Sequence, residues 1–321
     1  MHSFSELSAL FEESFNVRHF PEHTKTLYDP AQYILGIGGK RVRPVAVYMA
    51  NELFSSLDED SFNAACAIEL FHNFSLIHDD IMDKAPLRRG QQTVHEKYGE
   101  STALLAGDVM FVQAYEYLSK IKPLYLPKVV ALFNKTAKEV CEGQQLDMDF
   151  EKKETVSLEE YVEMISLKTS VLLGSSLQTG AILGGAGLGS QQHLYNFGKN
   201  IGIAFQVQDD YLDAFGIPEK FGKQIGGDIL SNKKTFLLIH TLETANALQK
   251  KELSQLMNSN PPDKVERVLQ LFKECKADEW ATSLKEKYYQ TALEHLEALA
   301  VQESRKAELK NLAEYLLKRE S

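Results

Sequence analysis

Two acidic clusters in this sequence share one spacing. Asp79, Asp80 and Asp83 follow the apolar pair Leu76-Ile77, and Asp209, Asp210 and Asp213 close the run that begins at Phe205. Each cluster places carboxylates at i, i+1 and i+4. On a helix the first and last lie on one face a turn apart, and the middle one, three residues before the last, stands beside them. Carboxylates this close repel and call for a countercharge. A hard divalent cation bound through oxygen suits them. Mg²⁺ takes one or two protein carboxylates and fills its remaining positions with water and phosphate oxygens. One such cluster reads equally well as an acidic helix end in water. Two with the same spacing and the same apolar approach point to several Mg²⁺ ions clamping one highly charged phosphate ligand.

Basic residues accompany both clusters. Arg88 and Arg89 follow Asp83 across a short, turn-like segment, and Gly38-Gly39-Lys40-Arg41-Val42-Arg43-Pro44 is a glycine turn leading into three cations. Glycine lets backbone approach a ligand closely, and guanidinium forks match phosphate oxygens. Lys223, Lys233 and Lys234 follow the second cluster. In an acidic chain these placements suggest two anionic groups, one held through metal and one by direct basic contacts. Of the two histidines on the first acidic segment, His72 is the candidate for phosphate contact and His78 for a structural role. No Ser/His/Asp or Cys/His arrangement, zinc-type spacing or phosphate-binding GxxxxGK[ST] loop accompanies them. The implied chemistry is metal-assisted, without a protein nucleophile.

The elements that must position these groups are helical. The chain has 321 residues, 44% hydrophobic and 25% charged, which excludes a disordered chain and allows a sizeable core. Its net charge of −10 argues against nucleic-acid binding. The three cysteines, Cys66, Cys141 and Cys275, form no CxxC pair and suggest a reducing compartment, with all three expected as small buried residues. The acidic N-terminus does not resemble a secretory signal, so a cytoplasmic protein is expected. The uncharged stretch from Thr169 to Gly198 is broken by polar residues and glycines, which suits two tightly packed helices with a turn around 184–189 rather than a membrane span. Long proline-free stretches predict an all-α fold in one domain, 1–321. Helices are expected over 43–56, 61–83, 101–119, 125–149, 158–188 in two parts, 191–214, 234–257, 262–275, 278–300 and 304–319.

The motifs GGKRVRP (38–44), HNFSLIHDDIMD (72–83), RRG (88–90), LKTS (167–170), FQVQDDYLD (205–213) and GKQIGGDILSNKKT (222–235) together resemble the trans-isoprenyl diphosphate synthases. This is the polyprenyl synthetase family, which includes farnesyl and geranylgeranyl diphosphate synthases. The resemblance implies a single helical bundle around a deep central cavity, usually in a homodimer. It implies that Asp79, Asp80, Asp83, Asp209, Asp210 and Asp213 bind three Mg²⁺, Asp79, Asp83 and Asp209 foremost. These would hold the allylic diphosphate (dimethylallyl, geranyl or farnesyl) together with Arg88, Lys168, Lys223 and Lys233. Isopentenyl diphosphate would lie on Lys40, Arg43, His72 and Arg89, and Thr169 and Gln206 would border the reacting carbons. Gln92 replaces a proline common in the family, and the first motif is the short DDxxD form, which weakens a simple farnesyl assignment.

The growing tail is expected to run from Asp79 back towards the start of its helix. At about 1.5 Å per residue, Phe74 lies about 7–8 Å and Phe71 about 12 Å along the axis. The small Ser75 opens the first stretch, and Phe74 and Phe71 can cap it. Family members with the short motif and one bulky residue at the position of Phe74 resemble geranylgeranyl synthases, and that resemblance implies a C20 product, with C15 next. Two other readings share the ionisation of a prenyl diphosphate or the fold alone: a terpene cyclase and a non-catalytic synthase subunit. The intact second cluster and GGKRVR argue against the cyclase, and the intactness of both acidic clusters argues against the non-catalytic subunit.

Overall fold

The structure, a computed structural model, describes residues 1–216 and 226–318. Apart from one two-stranded ribbon, the regular elements among them are helices, as the sequence predicts. The chain gathers into two compact units. The first comprises Met1–Lys135, Ser175–Tyr195 and Leu299–Leu309, the second Thr136–Gly174, Asn196–Ala298 and Lys310–Ser321.

In the first unit lie α1 (Phe4–Phe15), α2 (Lys25–Gly36), α3 (Val42–Glu52), α4 (Glu59–Met82), α5 (Val94–Tyr98) and α6 (Glu100–Leu118). The sequence reading did not include α1 and α2. The first is signalled by a Ser3/Glu6 capping box and by Leu7, Phe11 and Phe15, which recur every four residues and are buried. The second contains Pro30, normally a reason to end a helix. Here Pro30 forfeits only the bond to the carbonyl of Thr26, close to the helix start.

Helix α4 starts from Asp58, whose side chain accepts from the amides of Asp60 and Ser61. Such a cap contributes about 1 kcal/mol. Ala64, Ala65, Cys66 and Ala67 are all buried, so this turn of α4 is enclosed on every side. Small residues set its spacing to neighbours. A Cβ at Gly107 of α6 would lie 2.4 Å from Nε2 of His78, whose ring sits 3.2 Å from the Leu104 carbonyl oxygen. That contact gives His78 the structural role expected of it. Gly180 packs against α3 still more closely: an added Cβ would meet the Val47 carbonyl oxygen at 2.1 Å.

After α4 the chain forms an antiparallel ribbon, Leu87–Arg88 with Gln91–Gln92. Its two-residue turn holds Arg89 at φ 52° and Gly90 at φ 75°. Two positive φ angles give the turn a twist that matches paired strands.

The second unit holds the later part of α7 (Leu126–Lys152), α8 (Leu158–Ile165), a π turn over Ser166–Ser170, the later part of α10 (Leu188–Phe215), and the helices Phe236–Thr244, Ala247–Met257, Lys264–Glu274 and Ala277–Glu297. The π turn is the joint expected within 158–188; beyond it runs α9 (Val171–Leu183), and Gly184–Gly187 separates α9 from α10. The single helix expected over 234–257 is two. Asn246 caps the second of them, its side chain accepting from Leu248 and Gln249. Tyr161, Met164 and Ile165 pack in one core with Phe236, Leu237, Phe272, Ala277 and Ala281.

Cys66 is buried and Cys275 half-buried, but Cys141 is exposed. This corrects the expectation of three buried thiols. The inward positions of α7 there go to Val140, Gly143 and Gln144. Among the described residues no helix is long and apolar enough to cross a membrane.

Replacing Gly180 by alanine forces α3 and α9 apart or bends them. The expected result is a loss of roughly 1–3 kcal/mol of stability, measured as a lower urea midpoint with an unchanged slope.

Candidate active site

Helix α4 delivers the first acidic cluster at its C-terminal end, where the helix dipole is negative and carboxylates are least comfortable. Asp80 is 2% exposed and forms a two-pronged ion pair with Arg88, Nε to Oδ2 at 2.8 Å and Nη2 to Oδ1 at 2.7 Å. Asp79 is half-buried, and Asp83 is exposed at the helix cap. The three predicted ligands thus divide: Asp79 and Asp83 stand one turn apart, and Asp80 faces the protein's own guanidinium. The hairpin makes this possible by turning Arg88 back towards α4.

Beside this end of α4 lies a cluster of cations. Nη1 of Arg43 is 3.2 Å from Nε2 of His72. Burial holds the His72 imidazole well below its ordinary pKa, and the positive fields of Arg43, Arg89, Arg88 and Arg41 push the same way. The ring is therefore neutral at pH 7, with one N–H to donate. The Arg43 Nε is buried with no hydrogen-bond partner among the described residues. Arg89 lies against Gly39, where a Cβ would come within 2.7 Å of its guanidinium. The close approach at Gly39 is to the chain's own Arg89, and a Cβ at Gly38 would meet open space. Lys40 is exposed at the start of the same segment.

Sequence reasoning missed what anchors this cluster. Arg41, in the left-handed region at φ 50°, is buried, pairs with Glu69 and donates to the Leu35 carbonyl at 2.9 Å. Asn73 Nδ2 donates to Glu69 Oε1 at 3.0 Å. Three cations in GGKRVR look alike in sequence, yet one is structural. The available signal was Glu69, placed three and four residues before His72 and Asn73 on one helix face.

The second acidic cluster follows the same division. Asp210 is 3% exposed. Tyr161 donates its hydroxyl to Oδ2, and Gln206 donates to Oδ1 at 2.9 Å. Burial pushes the Asp210 carboxyl up to about 7, against the lowering pull of Lys233. Asp213 is half-buried, and its Oδ2 accepts from the Asp228 amide at 3.0 Å. Asp209 is half-buried too. Gln206, expected at the reacting carbons, is engaged with Asp210. Tyr161 is a further residue that the sequence reading missed, 49 positions from its partner.

Lys168 and Thr169 sit within the π turn, whose bond runs from Val171 N–H to the Ser166 carbonyl. Single π turns occur often at functional sites. Glycines admit this one: a Cβ at Gly143 of α7 would lie 2.2 Å from the Lys168 nitrogen, and one at Gly202 of α10 would lie 2.7 Å from Ser170 Cα. Lys168 Nζ reaches Asp147 Oδ2 at 2.6 Å. Lys233 is exposed, 3.9 Å from Asp228. Lys223 lies outside the described residues.

The expected chain-length residues belong to an aromatic cluster. Phe71 is buried and Phe74 half-buried, their ring centroids 5.6 Å apart. Phe74 stacks on Phe111 of α6 at 4.9 Å, and Phe71 meets Phe133 edge-on at 5.3 Å. Phe111 and Phe133 were not anticipated. Ser75 donates to the His72 carbonyl oxygen at 2.8 Å, which folds its small side chain against the helix.

Among the described residues, no three carboxylate, imidazole or thiol side chains converge into a closed metal cage. The oxygen-only donor sets at 79 and 83 and at 209 and 213 fit Mg²⁺, which completes its shell with water and substrate oxygens.

The family model described as Polyprenyl synthetase matches residues 24–275. The chain belongs to the polyprenyl synthetase family. It is 37% identical over 297 residues to a "Short chain isoprenyl diphosphate synthase" of Methanothermobacter thermautotrophicus, covering 92% of this chain and 91% of that protein. It is 38% identical over 299 residues to a "Geranylgeranyl diphosphate synthase" of Methanosarcina mazei, covering 92% and 90%. Among solved structures, a geranylgeranyl pyrophosphate synthase superposes with a TM-score of 0.95 at 41% identity, covering both chains completely. This polyprenyl synthetase is therefore a prenyltransferase with the helical fold that its motifs imply.

Two stability measurements test the cation cluster. Glu69→Ala leaves Arg41 buried and unpaired, and is expected to cost about 3–5 kcal/mol in urea unfolding. His72 has a folded pKa below its unfolded value, so the unfolded state binds the extra proton first. Its contribution to stability is complete above about pH 6.5 and is lost as the pH falls below that, with a slope of up to about 1.4 kcal/mol per pH unit. His72→Asn is expected to remove that slope in unfolding curves between pH 7 and pH 5.

Proposed function

We propose that this polyprenyl synthetase catalyses the Mg²⁺-dependent head-to-tail (1′–4) condensation of isopentenyl diphosphate with allylic diphosphates, and that its product is the C20 all-trans geranylgeranyl diphosphate. The observation that carries this reading is the buried His72, in contact with Arg43 and lying in the positive fields of Arg41, Arg88 and Arg89, on the helix that ends in the first carboxylate cluster. One part of that surface suits an oxygen-rich anion directly, and the other suits one brought with metal. The orphaned Arg43 Nε is a buried donor that a diphosphate oxygen would satisfy.

In this reading isopentenyl diphosphate rests on Lys40, Arg43, His72 and Arg89. Arg88, Lys168, Lys223 and Lys233 hold the allylic diphosphate, and Asp79, Asp83, Asp209 and Asp213 hold the ions, with Asp80 and Asp210 behind them. Mg²⁺, when bound, neutralises charge on the departing diphosphate. The chain's own cations donate to the same oxygens as the allylic C–O bond ionises. The double bond of isopentenyl diphosphate attacks the carbocation, and a proton is lost to give the new trans double bond. Thr169 and Gln206 border the reacting carbons.

Phe74, stacked on Phe111, closes the tail's path, with Phe71 and Phe133 behind it. We further read 1–321 as one catalytic domain, supported by a family match that spans segments of both units. We read the enzyme as cytoplasmic and homodimeric. Exposed Leu104, Leu105, Val112 and Tyr115 on α6 support the second copy.

The test is incubation with Mg²⁺, isopentenyl diphosphate and each allylic primer, followed by mass spectrometry of the dephosphorylated products. A C20 alcohol is expected. A C15 product moves the floor closer to Asp79, and absence of condensation overturns the reading. Phe74→Ala is expected to lengthen the product by at least one five-carbon unit, and an unchanged distribution removes Phe74 as the floor.

A further inference from the structure

Lys264 has no exposed surface, although both of its amide partners are exposed. Lysine is almost never fully buried unless paired. Yet no carboxylate among the described residues pairs with it. Its ammonium donates instead to two amide oxygens, Asn232 Oδ1 at 2.6 Å and Asn260 Oδ1 at 3.0 Å. Asn260 is four residues upstream, in the loop before the helix that Lys264 opens, and Asn232 is 32 residues away. Asn232 lies in the segment Gly226–Thr235, at φ 57° in the left-handed region where glycine and asparagine are the usual residues.

That segment is fastened at three more points. At its start the Asp228 amide donates to Asp213 Oδ2, and the Gly226 amide donates to the Asp213 carbonyl at 2.7 Å. Gly226 packs on Val265, the residue after Lys264, where a Cβ would come within 2.6 Å. At its far end Lys234 Nζ donates to the Phe150 carbonyl at 2.7 Å and to that of Lys153. Between these points, next to Asn232, sits exposed Lys233. The two adjacent lysines therefore differ in kind: Lys234 bonds to backbone carbonyls, and Lys233 is exposed with its Nζ 3.9 Å from Asp228.

We propose that Lys264 is a positioning residue for allylic diphosphate: by gripping Asn232 it fixes the backbone on which Lys233 and Asp228 stand beside Asp213. This rests on the reading above that places Lys233 on the allylic diphosphate. A buried ammonium held by neutral oxygens is a costly way to build a core, since a methionine of similar length would fill the space. What methionine lacks is a donor for Asn232.

The test uses steady-state kinetics of the full-length enzyme on Lys264→Met, Asn232→Gly, the double variant and Lys233→Ala. Asn232→Gly keeps the left-handed backbone and removes the acceptor on an exposed residue, so it reports even where Lys264→Met folds poorly. Each single variant is expected to raise KM for the allylic diphosphate on the order of tenfold, the usual effect of losing a group that orients a ligand-binding residue. KM for isopentenyl diphosphate is expected to stay within about twofold. The double variant is expected to be no worse than the weaker single one, because both cut the same link. Additive losses, or equal rises in both KM values, overturn the proposal. So does an unchanged allylic KM in Asn232→Gly while Lys233→Ala raises it. An unchanged allylic KM in Lys233→Ala overturns the underlying reading of the segment, and the latch falls with it.

Discussion

Like charges have to be held within reach of one another before any ligand arrives, and the described structure is organised around that repulsion. At the end of α4, carboxylates meet a negative helix dipole within a turn of each other. On the same helix, one buried imidazole lies in the positive fields of four guanidiniums. The solution is the same throughout: one member of each group is turned inward and given a partner by the protein. Asp80 takes Arg88, Arg41 takes Glu69, and Asp210 takes the hydroxyl of Tyr161. Of the other carboxylates, Asp79, Asp209 and Asp213 are half-buried and Asp83 is exposed. Burial then decides protonation, keeping His72 neutral and drawing the Asp210 carboxyl up to about 7.

Precise backbone placement follows from the same need. Groups that repel stay where they are put only if the chain beneath them is stiff. Glycines at 107, 143, 180 and 202 bring neighbouring backbone or rings closer than a Cβ would allow. A π turn sets Lys168 and Thr169, and a two-residue hairpin sets Arg88 and Arg89. Of the six described non-glycine residues with positive φ, Arg41, Arg89 and Asn232 lie in segments that carry proposed ligand contacts. Local strain of about a kcal/mol at such points persists because the surroundings over-determine it.

The helical class and the two acidic clusters were legible because both depend on short sequence spacings. An i, i+1, i+4 pattern says by itself which side chains share a face. The paired motifs likewise made the family legible. What the sequence could not say was which member of each cluster is spent internally. Asp80, Asp210 and Arg41 look no different from their neighbours, and their partners lie 8, 49 and 28 residues away. The π turn was equally hidden, since Gly143 and Gly202, which admit it, are remote from it in the chain. Helix α2 was lost to a reasonable rule about proline, and Cys141 to the ordinary burial of thiols, because phase on a helix outweighs residue type.

The Asp80–Arg88 pair also bears on which anions the surface accepts. A guanidinium fork already filled by a buried carboxylate presents little net attraction to a weak, singly bound anion. Such an anion would have to offer more than Asp80 already does, and abundant inorganic phosphate brings only one centre of charge. A ligand with two linked phosphoryl groups engages several cations at once, so its second contact strengthens the first. In the reading proposed above, the resting ion pair would favour ligands with two linked phosphoryl groups over a single phosphate, a selection set by the protein's own carboxylate.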